Sequence, residues 1–154
     1  MITTTKYNQT TISKKVTLDG VGLHTGKDVT LTFNPSEANT GYVFKRIDLK
    51  DMPLVEADIN YVSNTERGTC LNKNNVIIQT CEHVLASLVG LEIDNVLIEL
   101  NASEPPIMDG SSKFFVEALE KAGIKELDEK RKEFIVKNVI SFKDENTGSE
   151  ITII

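Results

Sequence analysis

TCEHVLASLVGLEIDNVLIEL, residues 80–100, changes its hydrophobic period partway along and thereby decides the fold class. Between Val84 and Val89 the apolar residues recur at helical spacing, whereas residues 95–100 form a short apolar run typical of a buried strand. Thr80 is a suitable N-cap for the helix, and Gly90 is a suitable C-terminal stop. The stretch therefore predicts a helix followed directly by a strand.

Strands dominate the rest of the chain. Period-2 alternation is clearest in VTLTF, and the glycines of the preceding GVGLHTG indicate a hairpin turn. The predicted strands cover residues 11–19, 27–33, 40–49 and 74–79, and a second predicted helix covers residues 113–123. The charge run KELDEKRKE, residues 125–133, is interpreted as a solvated linker or a helix end.

Composition excludes several functional classes. The chain has 154 residues and a net charge of −6, so it offers no basic face for nucleic acid. No apolar run approaches the roughly 20 residues of a membrane span, and no signal core opens the chain. Two cysteines are too few for a disulfide scaffold, and a reducing cytoplasm is the simplest setting.

The tail of the chain repeats a pattern from its head. Residues 25–31 and 147–153 both read Thr-Gly, a polar residue, an acid, then aliphatic-Thr-aliphatic. Either two hairpins match by chance or a second copy of the domain begins. We expect a first domain over residues 1–127 and the opening hairpin of a truncated second domain over residues 128–154. Because a lone hairpin is marginal in water, it must lean on the first domain, pair with another chain, or fray.

Glu82 and His83 are the principal candidates for chemistry. Both fall in the first turn of the predicted helix, with His83 at position N3, where the helix dipole favours a neutral, metal-binding imidazole. A carboxylate beside a metal-bound water is the usual arrangement for a general base in metal-assisted hydrolysis. Alternatively, the pair is simply the polar start of a core helix, since polar first-turn residues are expected there.

Other polar residues have bland interpretations. His24 lies in a glycine-rich turn that fails the P-loop pattern, so a sharp hairpin turn is favoured. Asp109 or Ser111 is expected to cap the second helix within a rigid turn. Cys81 is interpreted as a packed thiol, although a cysteine nucleophile beside Glu82 and His83 stays open.

Four segments together resemble the zinc-dependent UDP-3-O-acyl-N-acetylglucosamine deacetylases of lipid A synthesis. The likeness runs in order from residue 11 to about residue 127. The segments are GVGLHTGK (20–27), NTGYVFKR (39–46), TCEHVLASLVGLEIDNVLIEL (80–100) and PPIMDGSSKFF (105–115).

The resemblance implies an α+β fold, a two-layer sandwich of a mixed or antiparallel sheet against helices, as the first of two similar domains. It also implies that His83 is a zinc ligand and that Glu82 is the general base for hydrolysis of the N-acetyl group of a UDP-sugar acyl substrate. The remaining zinc ligands belong to the family's second domain, and no histidine follows His83 here. We therefore expect these 154 residues, alone, to be inactive and to hold zinc poorly.

Two points qualify this interpretation. The segment NTERGTC, residues 64–70, borders the family's active-site cleft, and its charged Glu66 and Arg67 depart from the more apolar residues expected there. The alternative from another class is a non-catalytic module of the same fold that binds a partner or a nucleotide sugar.

Overall fold

The computed structural model describes residues 2–154, which form twelve strands, two α-helices and one short 3-10 helix at Ile59–Tyr61. The first six strands are β1 (Ile2–Ile12), β2 (Val16–Val21), β3 (Asp28–Pro35), β4 (Tyr42–Arg46), β5 (Leu54–Glu56) and β6 (Val62–Asn64). The others are β7 (Cys70–Lys73), β8 (Val76–Ile78), β9 (Val96–Leu100), β10 (Ile124–Phe134), β11 (Ile140–Lys143) and β12 (Glu150–Ile153). The α-helices are α1 (Glu82–Gly90) and α2 (Lys113–Ala122).

A five-stranded sheet in the order β2-β3-β9-β4-β5 forms one layer. All neighbours are antiparallel except β4 and β9, which run parallel, so the sheet is mixed. Side chains alternate across it: in β3 the apolar Val29, Leu31 and Phe33 are buried, while the intervening threonines are partly exposed. One face of the sheet therefore builds the core.

The two helices cover that face. Val84 and Leu88 of α1, and Phe115 and Leu119 of α2, belong to the same buried cluster as the strands. The rings of Phe33 and Phe115 meet edge to face with centroids 6.4 Å apart. Sheet and helices thus form two layers, which confirms the predicted α+β sandwich.

Smaller sheets surround this unit. Strands β6, β7 and β8 form an antiparallel ribbon that precedes α1, and β1 pairs with β10. The predicted strand 11–19 is in fact broken, since β1 ends at Ile12 and β2 begins at Val16. The interpretation of residues 125–133 as a linker or a helix end is wrong, because they belong to β10.

The tail forms the hairpin β11–β12, and its register places Phe142 opposite Ile151. Strand β10 runs across the predicted division between residues 127 and 128. The division itself stays a prediction. Among residues 2–154, no helix is both long enough and apolar enough to cross a membrane.

Candidate active site

Glu82 and His83 are the first two residues of α1. The helix begins after Cys81, so His83 is at position N2 and not at N3 as predicted. Thr80 is not the N-cap: its φ is +51° and its hydroxyl donates to the carboxylate of Glu104 at 2.8 Å. The predicted pair nevertheless lies at the positive end of the helix, and both side chains are half-buried.

The Glu82 carboxylate is held by the segment in front of the helix. Its Oε2 accepts a hydrogen bond from the backbone N–H of Thr69 at 2.9 Å. A Cβ placed on Gly68 would lie 3.5 Å from Oε1 of Glu82 and 3.5 Å from Oγ1 of Thr80. The carboxylate is therefore fixed at one oxygen, while its other oxygen borders Gly68.

A cavity of about 280 Å³ lies next to Gly68, which is one of its lining residues, whereas Glu82 and His83 are not. Its lining includes His24, Glu66, Arg67, Gly68, Cys70 and Thr80. The GVGLHTGK turn and the NTERGTC segment thus meet beside the start of α1, although the sequence separates them by about 40 residues. The charged Glu66 and Arg67 lie on the cavity wall, directly before Gly68 in the chain.

His83 connects α1 to the loop that precedes α2. Its backbone carbonyl accepts a hydrogen bond from the Ser112 hydroxyl at 2.9 Å. Within that loop, Asp109 accepts from the backbone and hydroxyl of Ser111, as expected for a rigid turn into the helix. Ser112, however, occupies the N-cap position, and its side chain makes no capping bond there.

A metal requires more ligands than this neighbourhood offers. A catalytic zinc usually takes three protein ligands. Among residues 2–154, no group of three or more His, Cys, Asp or Glu side chains is placed to hold a metal ion. Residues 2–154 therefore do not by themselves supply a three-ligand set around His83.

Cys81 is poorly suited to nucleophilic catalysis. It is fully buried, and its Sγ donates to the carbonyl of Thr69 at 3.3 Å. Burial, with a further contribution from the negative charge of Glu82, raises the pKa of the thiol to about 12. Because the thiolate is the reactive form, the cysteine alternative loses its chemical basis.

Glu104 is a site residue that sequence reasoning missed. Its side chain is fully buried and accepts hydrogen bonds from His24, Thr25 and Thr80. His24 and Thr80 both line the cavity. A sequence signal existed, namely an acid directly before Pro105 and Pro106 in a loop. Its partners, however, lie 24 to 80 residues away, where no spacing rule applies.

A larger hollow of about 790 Å³ lies on the face of the five-stranded sheet opposite the core. Lys45, Met52, Leu54 and Leu97 contribute to its lining. Neither Glu82 nor His83 lines either cavity, but Gly68, beside Oε1 of Glu82, lines the smaller one and not this one. Size alone therefore does not identify the site in this chain.

Comparison with known proteins identifies relatives over almost the whole chain. A family model described as UDP-3-O-acyl N-acetylglycosamine deacetylase, LpxC, matches residues 9–153. A bifunctional enzyme LpxC/FabZ from Bacteroides thetaiotaomicron is 44% identical over 146 residues, which cover 95% of this chain and 32% of the relative.

Two relatives carry the name UDP-3-O-acyl-N-acetylglucosamine deacetylase. The protein from Geobacter sp. is 43% identical over 136 residues, covering 88% of this chain and 45% of the relative. The protein from Wigglesworthia glossinidia brevipalpis is 41% identical over 146 residues, covering 94% of this chain and 49% of the relative. The chain thus spans about a third to a half of the length of these relatives.

Proposed function

The chain belongs to the UDP-3-O-acyl N-acetylglycosamine deacetylase family, and from this premise we propose that it contributes the general base and one zinc ligand to such an enzyme. Its reaction is hydrolysis of the N-acetyl group of a UDP-3-O-acyl-N-acetylglucosamine in lipid A synthesis. Glu82 is the base and His83 is the ligand. The observation that carries the proposal is the position of both residues at the start of α1, with Oε1 of Glu82 next to Gly68. Gly68 in turn lines a cavity that the hairpin turn shares with residues 64–70.

Glu82 is arranged to accept a proton. The Thr69 N–H occupies Oε2, which orients the carboxylate and directs Oε1 toward the Gly68 side. From there Oε1 takes a proton from the attacking water and delivers it to the leaving amine. The new bond joins the water oxygen to the acetyl carbon, the amide C–N bond breaks, and acetate and a free amine result. General base catalysis of this kind contributes typically 10²–10⁴-fold.

Zinc enters the proposal through His83 alone. When bound, the ion supplies Lewis acidity that polarises a carbonyl and promotes ionisation of water. The remaining ligands come from outside residues 2–154, since the described residues contain no set of three. We therefore expect the 154-residue chain by itself to hold zinc poorly and to lack deacetylase activity.

The test separates the two roles in the whole protein that contains this chain. His83→Ala should lower the zinc content measured by mass spectrometry, together with activity. Glu82→Ala should retain zinc and lower kcat by about 10²–10⁴-fold. Zinc retained at full occupancy in His83→Ala, or wild-type kcat in Glu82→Ala, would contradict the assignments.

A second measurement uses the 154-residue chain. Metal-dependent release of acetate from the substrate by this chain would overturn the expectation that it is inactive alone. Binding of the UDP-sugar by the whole protein without any hydrolysis would favour the non-catalytic module.

A further inference from the structure

The two hairpins of the chain have matching backbone geometry, and the match singles out Glu104. The pairing of β2 with β3 and that of β11 with β12 correspond residue by residue, so that Val21 opposite Asp28 matches Lys143 opposite Glu150. The turns agree as well. Gly22 donates to the carbonyl of Lys27 at 3.0 Å, and its counterpart Asp144 donates to that of Ser149 at 2.9 Å.

Each turn encloses one carboxylate, but the carboxylates come from different places. In the β11–β12 turn, Asp144 accepts from the N–H of Asn146 at 2.9 Å and from the hydroxyl of Thr147 at 2.9 Å. Asp144 also accepts from the Thr147 N–H at 3.4 Å. The hydrogen-bond donors of that turn are therefore paired with a carboxylate from the same turn.

In the β2–β3 turn the same donors point to Glu104. Its Oε2 accepts from the N–H of His24 at 3.0 Å, from the N–H of Thr25 at 2.9 Å and from the hydroxyl of Thr25 at 3.0 Å. Gly22 stands where the other turn has Asp144, and a Cβ on Gly22 would lie 2.6 Å from Oε2 of Glu104 and closer still to Oγ1 of Thr25, so an aspartate there also requires the Thr25 side chain to shift. Glu104 thus fills the space of the missing aspartate from a loop that follows β9.

Because Glu104 comes from the loop after β9 and not from the turn itself, it makes a contact that Asp144 does not make. Its Oε1 accepts from the hydroxyl of Thr80 at 2.8 Å, two residues before Glu82. One buried carboxylate therefore joins the His24 turn to the start of α1. His24 of the turn and Thr80, just before α1, both line the cavity.

We propose that Glu104 is a positioning residue, whose carboxylate fixes the turn containing His24 and Thr25 relative to Thr80 and thereby sets the cavity wall beside Glu82. The inference rests on the proposed function for its kinetic consequence. The structural claim does not depend on that function. It states that Glu104 acts as a clamp, meaning that its carboxylate connects the His24 turn to Thr80 in addition to stabilising the turn itself.

A carboxylate swap distinguishes a clamp from a turn stabiliser. Glu104→Ala removes both contacts, and the double variant Gly22→Asp with Glu104→Ala returns a carboxylate to the turn in the manner of Asp144. Because Asp144 makes its hydrogen bonds to donors of its own turn, we expect the aspartate of the double variant to restore the turn while the start of α1 stays displaced. Thr80→Val breaks only the contact to α1 and preserves the side-chain shape.

The structural measurement is the ¹⁵N–¹H spectrum of the 154-residue chain. In the double variant the amide shifts of Thr25 and Gly26 should move toward wild-type values, while those of Cys81 and Glu82 should stay displaced. Thr80→Val should displace the second pair alone. Return of all four shifts in the double variant, or unchanged shifts of Cys81 and Glu82 in Thr80→Val, would overturn the clamp.

The kinetic measurement uses the whole protein. Thr80→Val and the double variant should each lose about tenfold to a hundredfold in kcat while keeping zinc content, since small misplacements of reacting groups have effects of that size. If kcat in the double variant recovers together with the melting temperature, Glu104 serves the turn only. If His83→Ala and Glu82→Ala are also without effect, it is the proposed function that fails, and the amide shifts still decide the clamp.

Discussion

Glu104 shows how one residue can keep a charge inside the protein. Burial raises the pKa of its carboxyl, but hydrogen bonds from Thr25, Thr80 and His24 outweigh burial and hold the pKa below its usual value of 4.5. The ionised form is therefore the one that the fold stabilises. These three donors replace the water that the carboxylate loses on burial, and each has a fixed position. The charged carboxylate therefore also fixes the turn and the segment before α1, which carry the donors.

Stability should depend on pH through this residue. Because the folded pKa of Glu104 is below the unfolded value, its contribution is fully present above about pH 4.5 and is lost as pH falls through the folded value. Urea unfolding should find Glu104→Gln less stable than wild type by about 1–3 kcal/mol at pH 7. The difference should shrink toward pH 3.

Glu120→Gln is the matched control, since Glu120 is exposed on α2. It should stay within about 0.5 kcal/mol of wild type at neutral pH. A gap between wild type and Glu104→Gln that is constant from pH 7 to pH 3 would show that the carboxylate is not the stabilising form.

The same residue explains why sequence analysis placed the start of α1 incorrectly. A threonine before an apolar helical pattern is usually an N-cap. Here the Thr80 hydroxyl donates to Glu104 and the Thr80 backbone is left-handed, so Cys81 is the N-cap and the helix begins at Glu82, one residue later than predicted. Local sequence patterns identified Glu82 and His83 as candidates. They did not identify Glu104, because its role depends on contacts with residues distant in the sequence.

At the scale of elements, periodicity succeeded where an element has one buried face. The apolar spacing of α2 and the alternation of β3 both report packing against the core. Strand β10 has neither pattern, because most of its side chains are exposed and β1 is its partner. For this reason the charged residues 125–133 were interpreted as a solvated linker or a helix end.

Arg131 of β10 makes an ion pair with Asp94, unlike most of the charged residues of that strand. Nε of Arg131 lies 2.9 Å from Oδ1 of Asp94, and another nitrogen of the same guanidinium donates to Oδ2 at 3.0 Å. That group also donates to the carbonyl of Glu92 at 3.0 Å. The Arg131 side chain is 20% exposed, so the contact ties β10 to the loop before β9 in a partly shielded environment.

Removing Arg131 should therefore destabilise the fold. We expect Arg131→Ala to lower the free energy of unfolding by about 1–2 kcal/mol, measured by urea denaturation. Arg131→Lys should recover only part of the loss, because an ammonium group does not reproduce the planar guanidinium that contacts both the Asp94 carboxylate and the Glu92 carbonyl. Lys132→Ala, an exposed neighbour on the same strand, is the control and should change stability by less than about 0.5 kcal/mol. Equal losses at the two positions would mean that charge alone matters.

At the scale of the whole molecule, the hairpin β11–β12 differs from the rest. Phe142 and Ile151 face each other across it and are each 66% exposed. Two strands with solvated apolar side chains are marginal in water, and their open edges invite pairing with other chains. The core of the sandwich, by contrast, is closed by α1 and α2. The chain thus contains a sandwich with a closed core and a hairpin whose apolar side chains are largely exposed.

The point at which these two parts separate can be located by truncation. The division predicted from the sequence, after Leu127, would cut through β10 and remove Arg131, whereas a cut after Ile135 would keep the whole strand. We expect the chain ending at Ile135 to have a free energy of unfolding within about 0.5 kcal/mol of that of the full chain, measured by urea denaturation. The chain ending at Leu127 should lose about 2 kcal/mol or more, since it forfeits both the β1–β10 ladder beyond that residue and the contact with Asp94. Hydrogen exchange supplies the internal check, because amides of residues 140–153 should exchange far faster than those of β9. Strong, concentration-independent protection of the hairpin, or equal stability of the two truncated chains, would place the structural boundary elsewhere than after β10.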